Sequence, residues 1–156
     1  MTRIEHIIAQ LATHPLGRSG EIRVADGGLE VRLEVADWDR LGCLLEAVEV
    51  RSARGVPLVC DPTRVAETVS YLGETLQVIE AVNDEGRALL RSVPPSTGSG
   101  SVSFFEMALD RLSGVWSLRR YAADRQTGER RRVAAPLTRH VVERLVVDLM
   151  DLAAER

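Results

Sequence analysis

The chain has 156 residues, 45% of them hydrophobic and 28% charged, with a formal net charge of -3; this suits one compact domain burying roughly 70% of its unfolded surface and excludes a globally disordered chain. All twenty basic residues are arginine, which excludes chemistries that need a lysine, such as a Schiff base or the lysine of a phosphate-binding P-loop. Charge is uneven: residues 1–90 hold 9 Arg against 15 Asp plus Glu, or -6, and residues 91–156 hold 11 against 8, or +3.

The opening MTRIEHIIAQLATH reads as a helix, with Ile4, Ile7, Ile8 and Leu11 at helical spacing and Thr2 with Glu5 as a capping box. It lacks the continuous apolar core of a signal peptide, and no run reaches transmembrane length, so a cytoplasmic protein without membrane contact is expected. After the breakers Pro15 and Gly17 comes EIRVADGGLEVRLEVA, a hairpin around Asp26-Gly27-Gly28. Leu29, Val31, Leu33 and Val35 share its core face, while Glu30, Arg32 and Glu34 share the wet one. A third strand, LLEAVEVRS, leads through an ARG turn to a fourth, VPLVC. DPTRVAETVSYLGE opens a second helix, with Asp61 as N-cap, Pro62 at the first position and Val65, Val69 and Leu72 inward. The second half supplies LQVIEAV, a turn NDEG, RALLRSV, a loop PPSTGSG, VSFFEMAL, VWSLRRYA and RRRVAAP. A closing helix, TRHVVERLVVDLMDLAAER, carries a stripe of Val142, Leu145, Leu149 and Leu152 widened by Val146 and Met150.

The expected fold is therefore one α+β domain over 1–156, a twisted antiparallel sheet with three helices in the order α-ββββ-α-ββββ-α. TRI, TRV and TRH open the three helices, and DRLG at 39–42 returns as DRLSG at 110–114. This echo admits a weak duplication of 2–60 in 63–136, although chance repetition in an arginine-biased composition is the simpler reading.

The element order, and most closely the stretch TRVAETVSYLGETLQVIEAVNDEGRALLRSVPP, resembles the type III secretion chaperone-like fold, over roughly residues 3–152. The resemblance implies a small cytoplasmic module, a homodimer, that holds an extended segment of a client. The basic hairpin at 115–135 departs from that pattern, and no individual functional residue is carried over.

Catalytic and metal patterns are absent at the level of spacing. His6, His14 and His140 lie on different elements, and Cys43 and Cys60 form no C-x-x-C pair, so both read as buried thiols in a reducing compartment. PPSTGSGS at 94–101 lacks the lysine and helix of a P-loop and reads as a connection between strands. No cofactor is expected. Phe104 and Phe105, adjacent in one strand, face opposite sides, leaving one of them for an interface or for a covered second face.

The most distinctive surface is RRYAADRQTGERRR, 119–132, with six arginines in fourteen positions. As a hairpin it sets charge on both faces, which predicts a finger projecting past the sheet edge, rooted by Trp116, Leu118, Val133 and Ala135. Trp116, Arg119, Arg120, Tyr121, Arg130, Arg131 and Arg132 are its candidate partner-binding residues, suited to carboxylates of an acidic protein or to a phosphate backbone. The bland alternative is a solvated hairpin paired to its own Asp124 and Glu129, and either way reversing Arg130, Arg131 and Arg132 is expected to leave stability nearly unchanged. The sequence thus reads as a non-enzymatic bacterial binding module, an adaptor or chaperone holding a protein partner. The alternative is a nucleic-acid-associated regulator, disfavoured by the overall acidity.

Overall fold

The computed structural model describes residues 1–58, 60–93, 96, 97 and 100–155, with 96 and 97 described by their backbone alone. Helix α1 (Arg3–Leu11) is followed by strands β1 (Gly20–Asp26), β2 (Leu29–Trp38) and β3 (Gly42–Ser52), helix α2 (Pro62–Thr68), strands β4 (Thr75–Glu80), β5 (Arg87–Val93), β6 (Ser96–Thr97), β7 (Ser101–Asp110), β8 (Val115–Asp124), β9 (Arg130–Val133) and β10 (Ala135–Thr138), and helix α3 (Arg139–Ala154). All strand pairs are antiparallel, in the order β1-β2-β3-β8-β7-β5-β4. This is an α+β fold with a large antiparallel sheet and three helices.

Local chemistry sets the element ends. Thr2 and Glu5 form the capping box of α1, the Asp61 carboxylate accepts from Thr63 N ahead of Pro62, and Thr138 Oγ1 accepts from Val141 N to start α3. The β1–β2 turn needs positive φ at both central residues, 55° at Gly27 and 82° at Gly28, which two glycines adopt without strain. The echo of DRLG in DRLSG has a turn-level cause. Asp39, Asp110 and Asp124 each head a hairpin turn, with the carboxylate accepting backbone N–H groups two or three residues on, and those bonds hold all three carboxyls below their ordinary range.

One face of the sheet carries the core. Leu29, Val31, Leu33 and Val35 of β2 are buried there, together with Val48, Val50, Phe105, Met107, Leu109, Leu118 and both tryptophans. The helices cover it, α1 against β1, α3 across β2 and β3, and α2 against β4 and β5. The expected α3 stripe, Val142, Leu145, Val146, Leu149, Met150 and Leu152, is buried throughout; in α1 only Ile7 and Leu11 are, and Ile4 stays half exposed.

Two departures from the expected order matter for function. The fourth strand at VPLVC does not form: residues 55–58 and 60 are irregular, and residue 59 lies outside the described residues. Pro57 has no N–H for a ladder, and the segment instead docks on the β7–β8 turn through Leu58 N to Arg111 O at 3.0 Å. The first half therefore holds three strands, and the second half exceeds four. There RRRVAAP splits at Ala134, β9 pairing with β8 and β10 with β3. The cause is a bulge: Glu34 pairs with Ala47 but Val35 with Leu45, so Glu46 is an extra residue that bends β3 away from β8. Pairing of β3 with β8 stops at Ala47–Arg119, and the β9–β10 wedge fills the fork beyond it.

Candidate functional site

The finger does not project. Its second arm lies in the fork, and its candidate residues scatter over three environments. Trp116 is fully buried in the core and offers nothing to a partner. Arg119 and Arg120 face opposite sides, as strand neighbours must. Arg120 turns toward the core face, where its Nη2 donates to Glu74 Oε2 at 2.8 Å and its guanidinium lies 4.5 Å from the centre of the Phe105 ring. Phe105 belongs to the core, whereas Phe104 sits on the opposite face.

That open face holds an arginine and aromatic cluster. The Arg130 guanidinium stacks 3.9 Å from the Tyr121 ring centre and 5.5 Å from that of Phe104, and Arg91 lies 5.1 Å from Phe104. Both arginines donate to Glu106 at 2.8 Å, and Arg132 donates to Glu34 at 3.0 Å. Burial pushes the Glu106 carboxyl up, but hydrogen bonds from Arg130 and Arg91 outweigh it and hold the group below its ordinary value of 4.5. Its stabilising contribution is accordingly present above pH 4.5 and lost as pH falls through the depressed value. The pairing expected with Asp124 and Glu129 is replaced by Glu106, Glu34 and Glu74, while Arg125 and Arg131 have no ion pair among the described residues. The three arginines 130–132 are thus unequal. Arg130→Glu is expected to cost about 1 kcal/mol by setting a second carboxylate beside Glu106, and Arg131→Glu to stay within about 0.5 kcal/mol. Urea unfolding of the two variants checks this, and equal midpoints would remove the distinction.

Neither thiol is poised for nucleophilic attack. Burial, the largest cause in each case, pushes Cys43 and Cys60 up to about 11, with the Glu155 carboxylate adding to the effect at Cys60. Among the described residues no cluster of His, Cys, Asp or Glu is placed to hold a metal ion, and no helix is long and apolar enough to cross a membrane. Of the 94–101 stretch, Ser96 and Thr97 form the short β6 against β7, while residues 94, 95, 98 and 99 lie outside the described residues. A cleft of about 400 Å³ lies between the β1–β2 turn, residues 52–58 and the end of α3, with Arg54 and Glu155 as its charged walls.

Sequence reasoning missed the two sheet edges. The β1 edge is blocked at one point by a side chain: Gln10 of α1 accepts from Ala25 N at 2.9 Å and donates to Ala25 O at 3.0 Å, and Glu21 with Arg23 adds charge. The β4 edge is different. Over Thr75–Val78 it carries neither proline nor charge, and no side chain among the described residues bonds its outer backbone groups. A bulge at Ile79, between the pairs Val78–Leu90 and Glu80–Leu89, ends this regular stretch. Beside it runs a groove made of two clefts of about 520 and 390 Å³ that share Thr63 and Val78. Its floor is Pro62, Ala66, Leu76, Val78, Ala81 and Val82. Periodicity had marked LQVIEAV as a strand, but which strands end a sheet depends on pairing that a single sequence does not display.

Comparison with family models, with curated proteins and with solved structures returned no match.

Proposed function

We propose that the chain is a binding module, not an enzyme, which holds an extended polypeptide segment by adding it as a strand to β4. The observation that carries this reading is the contrast between the edges: on β1, Gln10 occupies the outward backbone groups of Ala25, and Glu21 with Arg23 adds charge, whereas Thr75–Val78 has neither and lies beside a groove with apolar lining. A segment laid there gains main-chain hydrogen bonds from the edge and seats alternate side chains in the groove. The chaperone-like likeness was noted from the sequence, and the fold shares with it the α+β class, a large antiparallel sheet and three helices; holding a client is the role that likeness implies. The basic finger carries less of the reading, because Arg120, Arg130 and Arg132 are spent on internal carboxylates. A homodimer would use other apolar surface, such as the α1–α3 groove lined by Ile4, Ile8 and Val147.

The test is selection of short peptides from a random library, followed by amide exchange. Selected peptides are expected to slow exchange at Thr75–Val78, and the double variant Thr75→Lys, Gln77→Lys should weaken them about tenfold while leaving the melting temperature unchanged, since both positions are exposed and edge charges obstruct added strands. Peptides that protect only the 119–132 hairpin would overturn the proposal in favour of the finger.

A further inference from the structure

Building on the strand-addition reading, we infer that the occupant of the β4 edge is a cationic segment in which apolar residues alternate with Arg or Lys. The floor of the groove sets the first half of this pattern. Pro62, Ala66, Leu76, Val78, Ala81 and Val82 are all apolar, and an added strand points every second residue at them. The rim sets the second half.

Residues 61–85 hold Asp61, Glu67, Glu74, Glu80, Asp84 and Glu85 against the single Arg64, a balance of -5, which falls to -3 once Glu74 is paired with Arg120 and Glu85 with Arg87. Arg64 is drawn off by Glu155 at 2.6 Å, and the nearby Arg87 is engaged by Glu85 and Asp110. Arg91, opposite Gln77 in the ladder, is held by Glu106, and Arg111, which lines the second cleft, is also engaged. Glu67 on the α2 wall and Glu80 at the end of β4, both exposed, have no ion pair among the described residues. The edge is therefore flanked by two exposed carboxylates outside any ion pair among the described residues, and the neighbouring cations are each held by another carboxylate or otherwise engaged. The same arithmetic disfavours a second copy as occupant, because its β4 edge would bring an identical acidic rim to this one. An acidic client would meet the same repulsion.

The experiment measures fluorescence anisotropy with two synthetic peptides of equal length, one alternating Val with Arg and the other Val with Glu, and follows amide exchange at Thr75–Val78. The Val–Arg peptide should bind and protect those amides, more weakly as salt rises, and the Val–Glu peptide should bind at least about tenfold more weakly. Glu67→Arg with Glu80→Arg should reverse the preference. Glu129→Arg with Glu143→Arg, an equal change of charge outside the groove, should leave it intact. Equal binding of both peptides with protected β4 amides would overturn the cationic assignment and leave strand addition standing; failure of both peptides to protect those amides would overturn both. Loss of Val–Arg binding to the same extent in the Glu129, Glu143 variant would reduce the effect to net charge and overturn the assignment as well.

Discussion

Glu74→Ala is expected to remove about 3–5 kcal/mol of folding free energy, the range typical of deleting one partner of a buried ion pair. Glu74 and Arg120 are 12% and 13% exposed, so water screens them little. Among the described residues the Glu74 carboxylate has at least two tasks. Oε2 accepts from Arg120, and Oε1 accepts from Ser92 Oγ at 2.6 Å, whose oxygen in turn accepts from Phe105 N at 2.7 Å. Ser92 is fully buried and stands where the β5–β7 ladder ends, so its hydroxyl replaces the next backbone bond. Removing Glu74 strands a guanidinium whose Nη1 already has no partner, and it orphans the serine donor as well. Replacing both ends of the pair, Glu74→Leu with Arg120→Met, should recover most of the loss, because the cost lies in the unpaired charge. Denaturant titration decides the matter: a single-variant loss within about 0.5 kcal/mol would mean that Arg120 reaches solvent on its own.

Gly114→Ala should cost roughly 2–5 kcal/mol, from a backbone term of about 1–2 kcal/mol and an overpacking term of about 1–3 kcal/mol. Gly114 closes the β7–β8 turn at φ 71°, in the left-handed region. An added Cβ would stand 2.5 Å from the Val56 carbonyl oxygen and closer still to Ser52 Oγ. Val56 belongs to the irregular segment docked on this turn, and Ser52 N donates to Gly114 O at 3.0 Å, so the collision falls on backbone that has little room to retreat. Gly128→Ala provides the control. It has a similar φ, 73°, but open space around it, and should show the backbone term alone. Equal melting temperatures for the two variants would refute the packing argument.

What the sequence disclosed follows the range of the interactions. Caps, glycine turns and the period-two face of β2 depend on residues a few positions apart, and each is where its local signal placed it. The opposite facing of Arg119 and Arg120 was legible for the same reason. The roles of those arginines were not, because the Arg120 partner is 46 residues away and the Arg132 partner 98. Counting charges in RRYAADRQTGERRR suggested a projecting basic finger, but the bulge at Glu46 opens a fork that takes in its second arm. Trp116 failed as a surface candidate through ordinary strand alternation, since it shares the inward face with Leu118. VPLVC misled because an apolar run is also what an irregular segment needs when it packs under a turn.

The β9–β10 wedge also has a consequence in time. As the chain is synthesised, β3 is complete at Ser52, but its inner neighbour β8 begins only at Val115 and the wedge at Arg130. At roughly 5–20 residues per second that is a wait of roughly 3–13 s before the first inner pairing forms, and longer before the fork is filled. During this interval β3 is a bare strand edge. Glu46, Glu49 and Arg51 on that strand are then guards against pairing with other nascent chains, and the few seconds before β8 arrives are when their charge matters most.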